Sequence, residues 1–175
     1  QVTSAVQNVR VSLVVTSDKV YRNTGQGSFV EEDALGGSDP YSASKAMADI
    51  LASSWQSSGF SDAVYVARAG NVIGAFDVSP HRIMADINRA IQTGETLLVR
   101  NPSYSRPWQH VLDCLSGYLL YIGKALSGAG LPRALNFGPP SENVRTVLDL
   151  VSRLEAFLPS GYQVESPGLN SYESS

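Results

Sequence analysis

Residues 9–15, VRVSLVV, form a β-branched apolar run with little alternation. That pattern predicts a strand buried on both faces, as in a parallel sheet. TSDKVY follows, and then RNTGQGSFVEEDALGGSDP, a glycine-rich polar stretch that reads as a long, functional loop. At its end Asp39 supplies a helix cap and Pro40 a first helical residue. The helix is expected from about Tyr41 to Trp55, with Met47, Ile50, Leu51 and Trp55 facing the core. Gly59 is its expected stop. AVYVARAGNVIG predicts a second buried strand running into a turn. SPHRIMADINRAIQTG predicts a helix opened by Ser79 and Pro80, striped by Ile83, Ile87 and Ile91, and closed by Gly94.

TLLVRN and ALNFG read as short strands flanking a third helix, whose stripe is Leu112, Leu115, Leu119, Ile122 and Leu126. Residues 144–158 predict a last amphipathic helix, YQVES a final strand, and GLNSYESS a frayed tail. Helices and strands alternate throughout, so the fold class is α/β. We expect one compact unit, with residues 1–78 forming the dinucleotide-type α/β part and residues 79–175 a substrate lobe.

Composition narrows the function. The chain has 175 residues, is 43% hydrophobic and carries a formal net charge of -3. This supports a folded core and argues against a nucleic-acid surface. Cys114 is the one cysteine, which excludes an internal disulfide and points to a reduced, cytoplasmic setting. His81 and His110 are too few and too far apart for a metal site. No signal peptide and no membrane-spanning run is visible.

The chemistry centres on DPYSASK. Tyr41 and Lys45 are four apart, so on a helix they share a face. A neighbouring ammonium favours the phenolate, which makes a base for a sugar hydroxyl. A packed tyrosine beside a solvated lysine would give the same spacing. The strand ending in Thr16 and Ser17 changes the balance, because a hydroxyl at a strand's C-terminal end sits where open α/β sheets bind ligands.

A strand ending in a hydroxyl, a loop, and a helix opening with YxxxK resembles the extended short-chain dehydrogenase/reductase superfamily. TSDKVY, DPYSASK, ARAGNVIG, RNP, RPWQHVLD and LNFGP, in that order, resemble the CDP-glucose 4,6-dehydratases within it. The resemblance implies a partial Rossmann-like fold, namely the C-terminal part of the parallel sheet plus the substrate lobe. It implies NAD as cofactor and a CDP-glucose-like nucleotide sugar as substrate, oxidised at C4 and dehydrated across C5 and C6. Tyr41 would be the base, Lys45 would hold the nicotinamide ribose, and Ser17 would orient the hydroxyl. Asp18 and Lys19 would be the acid and base of water loss. Asn71 and Arg106 would bind the nucleotide sugar, Arg106 at its diphosphate, and Arg82 and Asn101 would add to the nucleotide pocket. Arg68 and Arg106 read equally as structural ion pairs on sequence alone.

Against that family, a strand–glycine turn–helix cradle for pyrophosphate is missing. GQG at residues 25–27 lies in the long loop, and GAG at residues 128–130 follows a helix. Roughly the family's first third is expected to be absent, so the chain alone is expected not to be competent. An open sheet edge then predicts a homo-oligomer or pairing with a separate N-terminal segment. The other reading is a non-catalytic module that binds a nucleotide sugar or a protein. AFDV after NVIG, Val78 at a family tryptophan position and Met84-Ala85 at a family Ile-Pro depart from the resemblance.

Overall fold

A computed structural model describes residues 9–23, 25, 28–59 and 63–165. The expected tail at residues 168–175 and two residues of GQG, Gln26 and Gly27, lie outside them. The chain forms two compact units, residues 1–70 with 111–138, and residues 71–110 with 139–175. The chain thus returns to the first unit after residue 110, where a single cut at residue 78 had placed all that follows in a substrate lobe.

The first unit is built on a three-stranded parallel sheet in the order β1 (Ser12–Val15), β2 (Val64–Ala69), β7 (Ala134–Phe137). Every residue of β2 is buried, as its unbroken apolar run requires. Alternate side chains of β2 face two helices. Val64 and Val66 pack with Ala52 of α1 (Pro40–Ser57). Tyr65 meets Tyr121 of α3 (Val111–Leu126) edge to face. β1 lies at the sheet edge and is only half-buried, with Val15 exposed, so the expectation of burial on both faces is corrected.

Two apolar stripes also face differently from the expectation. Met47, Ile50 and Leu51 of α1 are exposed, and so are Leu112, Leu115 and Leu119 of α3. The buried face of α1 is Ser42, Ala46, Asp49 and Ala52, small or ion-paired residues that allow close approach to the sheet. The buried residues of α3 are Cys114 and Tyr121. Gly117 approaches β7 so closely that an added Cβ would lie 2.8 Å from the Phe137 ring.

Tyr121 donates its hydroxyl to Pro132 O, and burial, helped by Tyr65, pushes its pKa up to about 12. The unfolded chain therefore ionises first, and stability falls as pH rises from about 10 towards about 12. Tyr121→Phe, less stable at neutral pH, should lose less stability over that range. Urea midpoints at stepped alkaline pH measure this, and parallel curves for both proteins would contradict it.

The second unit contains α2 (Ile83–Thr93), β4 (Leu97–Val99), α4 (Val147–Leu154) and β9 (Tyr162–Val164). Ile87, Ala90, Leu97, Val99, Val151 and Leu158 form its core. β4 pairs parallel with β9. β3 (Val72–Ile73) pairs parallel with β6 (Gln109–His110), and β5 (Ser105–Arg106) antiparallel with β8 (Arg145–Thr146). α2 begins three residues beyond the expected Ser79–Pro80 start, with Arg82 at its cap and no side-chain capping bond. Gly94 ends it as expected, in the left-handed region at φ 74°. Thr146 and Asp149 form a capping box at α4.

Candidate active site

β1 is followed at once by Thr16 and Ser17, both buried. The two hydroxyls have different work. Thr16 Oγ1 donates to Asp49 Oδ2 at 3.1 Å and is thereby tied to α1. Ser17 Oγ donates to Asp18 Oδ1 at 2.9 Å and accepts from Lys19 N at 3.2 Å, capping a 3-10 turn over Asp18–Val20. That turn packs against α1.

α1 opens as its sequence demands. Asp39 Oδ1 accepts from Ser42 N at 3.0 Å, and its other oxygen accepts from the Ser42 hydroxyl. The Ser42 hydrogen bonds hold the Asp39 carboxyl below its ordinary value, with a smaller contribution from the charge of Lys19. Lys19 thus sits near the start of the helix that carries Tyr41. Tyr41 is half-exposed in the first turn, and Lys45 Nζ lies 6.0 Å from its ring centroid. Ser17, Asp18, Lys19, Tyr41 and Lys45 are therefore all in the first unit, on two elements in contact.

Gly37 precedes the helix, and a Cβ there would overlap Ala43 N and the carbonyl carbon of Ser42. We expect Gly37→Ala to cost about 1–3 kcal/mol, since the obstacle is backbone. A urea titration within 0.3 kcal/mol of wild type, roughly the noise of such measurements, would contradict this.

A buried network behind the site was not anticipated as a whole. Arg68 donates Nε and Nη2 to the two carboxylate oxygens of Asp49, each at 2.8 Å. Its Nη1 donates to Tyr21 Oη at 2.8 Å and to Glu31 O at 2.9 Å. Tyr21 donates to Asn136 Oδ1 at 2.6 Å. Burial would lower the pKa of Arg68, but the bonds to Asp49 and Tyr21 outweigh it and raise it. Burial raises that of Tyr21. Arg68 is structural, one of the alternatives open from sequence. Asp49 lies eight residues after Tyr41, and a charge on an otherwise alanine-rich helix face was the signal for it.

The other candidates lie in the second unit. Asn71 O accepts from Gln109 N beside β3. Arg82 is exposed at the start of α2. Asn101 O accepts from Tyr104 N in the turn before β5. Arg106 is half-buried on β5, its guanidinium 5.2 Å from the Tyr104 ring centroid and its Nη1 donating to Ser105 O. Arg145, not singled out from the sequence, stands opposite it on β8.

A model of the NAD dependent epimerase/dehydratase family matches residues 2–138. The chain belongs to that family. Within the epimerase/dehydratase family it is similar to the CDP-glucose 4,6-dehydratase of Salmonella typhimurium, with 38% identity over 159 residues. That match covers 85% of this chain and 44% of the relative. A dTDP-glucose 4,6-dehydratase of an Actinoplanes species is 30% identical over 116 residues, 66% of this chain and 36% of the relative. Among solved structures, the dTDP-glucose 4,6-dehydratase of Streptomyces venezuelae with NAD bound has a TM-score of 0.70 at 25% identity, covering 89% of this chain and 47% of that one. An NAD-dependent NDP-hexosamine 5,6-dehydratase of tunicamycin biosynthesis has a TM-score of 0.73 at 24% identity, covering 89% and 49%. The chain thus spans about half the length, or less, of the relatives it matches. It is nucleotide-sugar 4,6-dehydratase-like, with the Rossmann-like fold of the extended short-chain enzymes.

NAD is the cofactor expected from the epimerase/dehydratase family. The chemistry of Tyr41 and Lys45 fits the nicotinamide ribose end. Among the described residues no glycine-rich turn joins a strand to a helix N-terminus, so none of them fits the pyrophosphate end. β1 runs into the 3-10 turn, β2 into β3, and β7 into the Gly138–Pro140 segment. No helix among the described residues is long and apolar enough to cross a membrane.

Proposed function

We propose that this chain is the catalytic and substrate-binding part of a nucleotide-sugar 4,6-dehydratase of the CDP-glucose type, and that it does not turn over alone. The observation that carries this reading is the division of labour at the end of β1. Thr16 is bonded to Asp49, which ties the strand to the helix of Tyr41 and Lys45, while Ser17 caps the turn that carries Asp18 and Lys19.

In this reading Tyr41 Oη takes the proton of the sugar 4-hydroxyl, with Lys45 beside it on the same helix face. Ser17 Oγ orients that hydroxyl. NAD, where bound, supplies the hydride acceptor at C4 and the donor at C6. Asp18 and Lys19 move the protons as water leaves across C5 and C6. Asn71 and Arg106 hold the nucleotide sugar, with Arg82 and Asn101 at its nucleotide end. The outer edge of β1, unpaired among the described residues, is where a second copy or a separate N-terminal segment adds to the sheet. We place the protein in the cytoplasm, where Cys114 stays reduced.

Calorimetric titration with NADH at millimolar concentration tests the cofactor half of the proposal. Saturable binding that Lys45→Ala weakens at least about tenfold, the scale of one lost charged hydrogen bond, is the expected result with the N-terminal segment supplied. Equal binding by wild type and Lys45→Ala would remove Lys45 from the cofactor site. The one-ended fit to NAD favours a second reading, a module that binds the nucleotide sugar without chemistry. In that case CDP-glucose binds and no 4-keto product forms under any reconstitution.

A further inference from the structure

β5 and β8 set two arginines directly opposite each other. Arg106 and Arg145 are register partners in this antiparallel pair, so their side chains leave the same face of the ribbon. Like charges in that position repel, and a fold that keeps them needs a reason. Among the described residues no carboxylate is ion-paired with either. The ion pairs among the described residues are Arg68–Asp49, Arg89–Asp86 and Arg100–Asp86. Asp149 feels the charge of Arg145, but its oxygens serve the cap of α4, one of them accepting from Thr146 N at 3.0 Å.

Both guanidiniums are anchored without being neutralised. Arg106 Nη1 donates to Ser105 O at 3.0 Å, and its plane lies by the Tyr104 ring. Arg145 Nη1 donates to Glu142 O and to Val144 O at 2.8 Å. Trp108 Nε1 donates to Arg145 O at 3.2 Å and fixes the strand beneath it. Both arginines are half-buried, so a shared anion would be partly shielded from water. The free N–H groups of two forks on one face suit an anion with oxygens on two centres.

We infer that Arg145 is a second guanidinium of a diphosphate clamp, acting with Arg106 across the β5–β8 ribbon. The ligand class is a diphosphate ester, and the clamp prefers it to a monophosphate because each fork takes one phosphoryl group. The identification of the ester with a nucleotide sugar rests on the function proposed above, while the clamp itself does not.

The test is binding of inorganic pyrophosphate and of inorganic phosphate to the intact chain, by calorimetry at fixed salt. The expected result is saturable pyrophosphate binding, clearly tighter than phosphate. Arg145→Ala and Arg106→Ala should each weaken it about tenfold or more, and Arg89→Ala, a charge control elsewhere in this unit, should leave it unchanged. Arg145→Gln retains a donor for the carbonyls of Glu142 and Val144 but no charge, and should bind as poorly as Arg145→Ala. Wild-type affinity in Arg145→Ala or in Arg145→Gln would overturn the inference, and so would no pyrophosphate binding by the wild type. Turnover is a separate readout. Pyrophosphate binding without any 4-keto product in the complex completed by an N-terminal segment leaves the clamp standing and removes the dehydratase reading, and the reverse result does the opposite.

Discussion

Arg68→Ala should cost the first unit about 3–5 kcal/mol, the range for breaking a buried ion pair from one side. Asp49 is fully buried, and the variant leaves its carboxylate with the Thr16 hydroxyl alone. It also releases the Glu31 carbonyl and the Tyr21 hydroxyl, which hold the loop after β1. Asp49→Ala should cost a similar amount, because it strands the guanidinium in the core. The double variant Arg68→Met with Asp49→Leu should recover most of the loss, since apolar residues of similar volume remove both charges together. Urea unfolding of the four proteins decides the matter. A loss below about 1 kcal/mol in Arg68→Ala, the scale of an exposed pair, would show that this pair is no more than a surface interaction.

The second large effect is on chemistry. In a complex completed by an N-terminal segment, Tyr41→Phe should lower the rate of 4-keto product formation by roughly 10²–10⁴, the usual contribution of a positioned general base. The folded state should be unchanged, because Tyr41 is half-exposed and its backbone, not its hydroxyl, serves the helix, with Tyr41 O accepting from Ser44 Oγ. Binding of CDP-glucose should persist. A Tyr41→Phe protein with near wild-type turnover would remove Tyr41 from the mechanism, whatever the fate of the other residues.

The start of α1 was legible because Asp39 and Pro40 act locally, through a cap and a fixed φ, and local rules need no knowledge of the rest of the chain. Its buried face was not. Met47, Ile50 and Leu51 have the apolar side chains, yet Ala46, Asp49 and Ala52 are inside, because the sheet demands close approach there and Arg68 demands a carboxylate. That carboxylate demand comes from β2, nineteen residues away in sequence, and helical periodicity does not carry it. α3 repeats the lesson, with Cys114 and Tyr121 buried beneath a stripe of exposed leucines. The strand-end hydroxyls were legible as a pair, whereas their different bonds, Thr16 to Asp49 and Ser17 within its own turn, needed the position of Asp49. Arg145 was invisible for a related reason. An antiparallel ribbon brings it opposite Arg106 from 39 residues away, and nothing near it in sequence marks the pairing.

One measurement tests the central claim most directly. CDP-glucose deuterated at C4 is incubated with NAD, this chain and the N-terminal half of a CDP-glucose 4,6-dehydratase, and the product is read by mass and by NMR. The account predicts a 4-keto-6-deoxy sugar nucleotide with deuterium at C6, formed only when both polypeptides are present. No product here, under conditions where the relative's own two halves do form it, would contradict the claim that Ser17, Tyr41 and Lys45 make a working site.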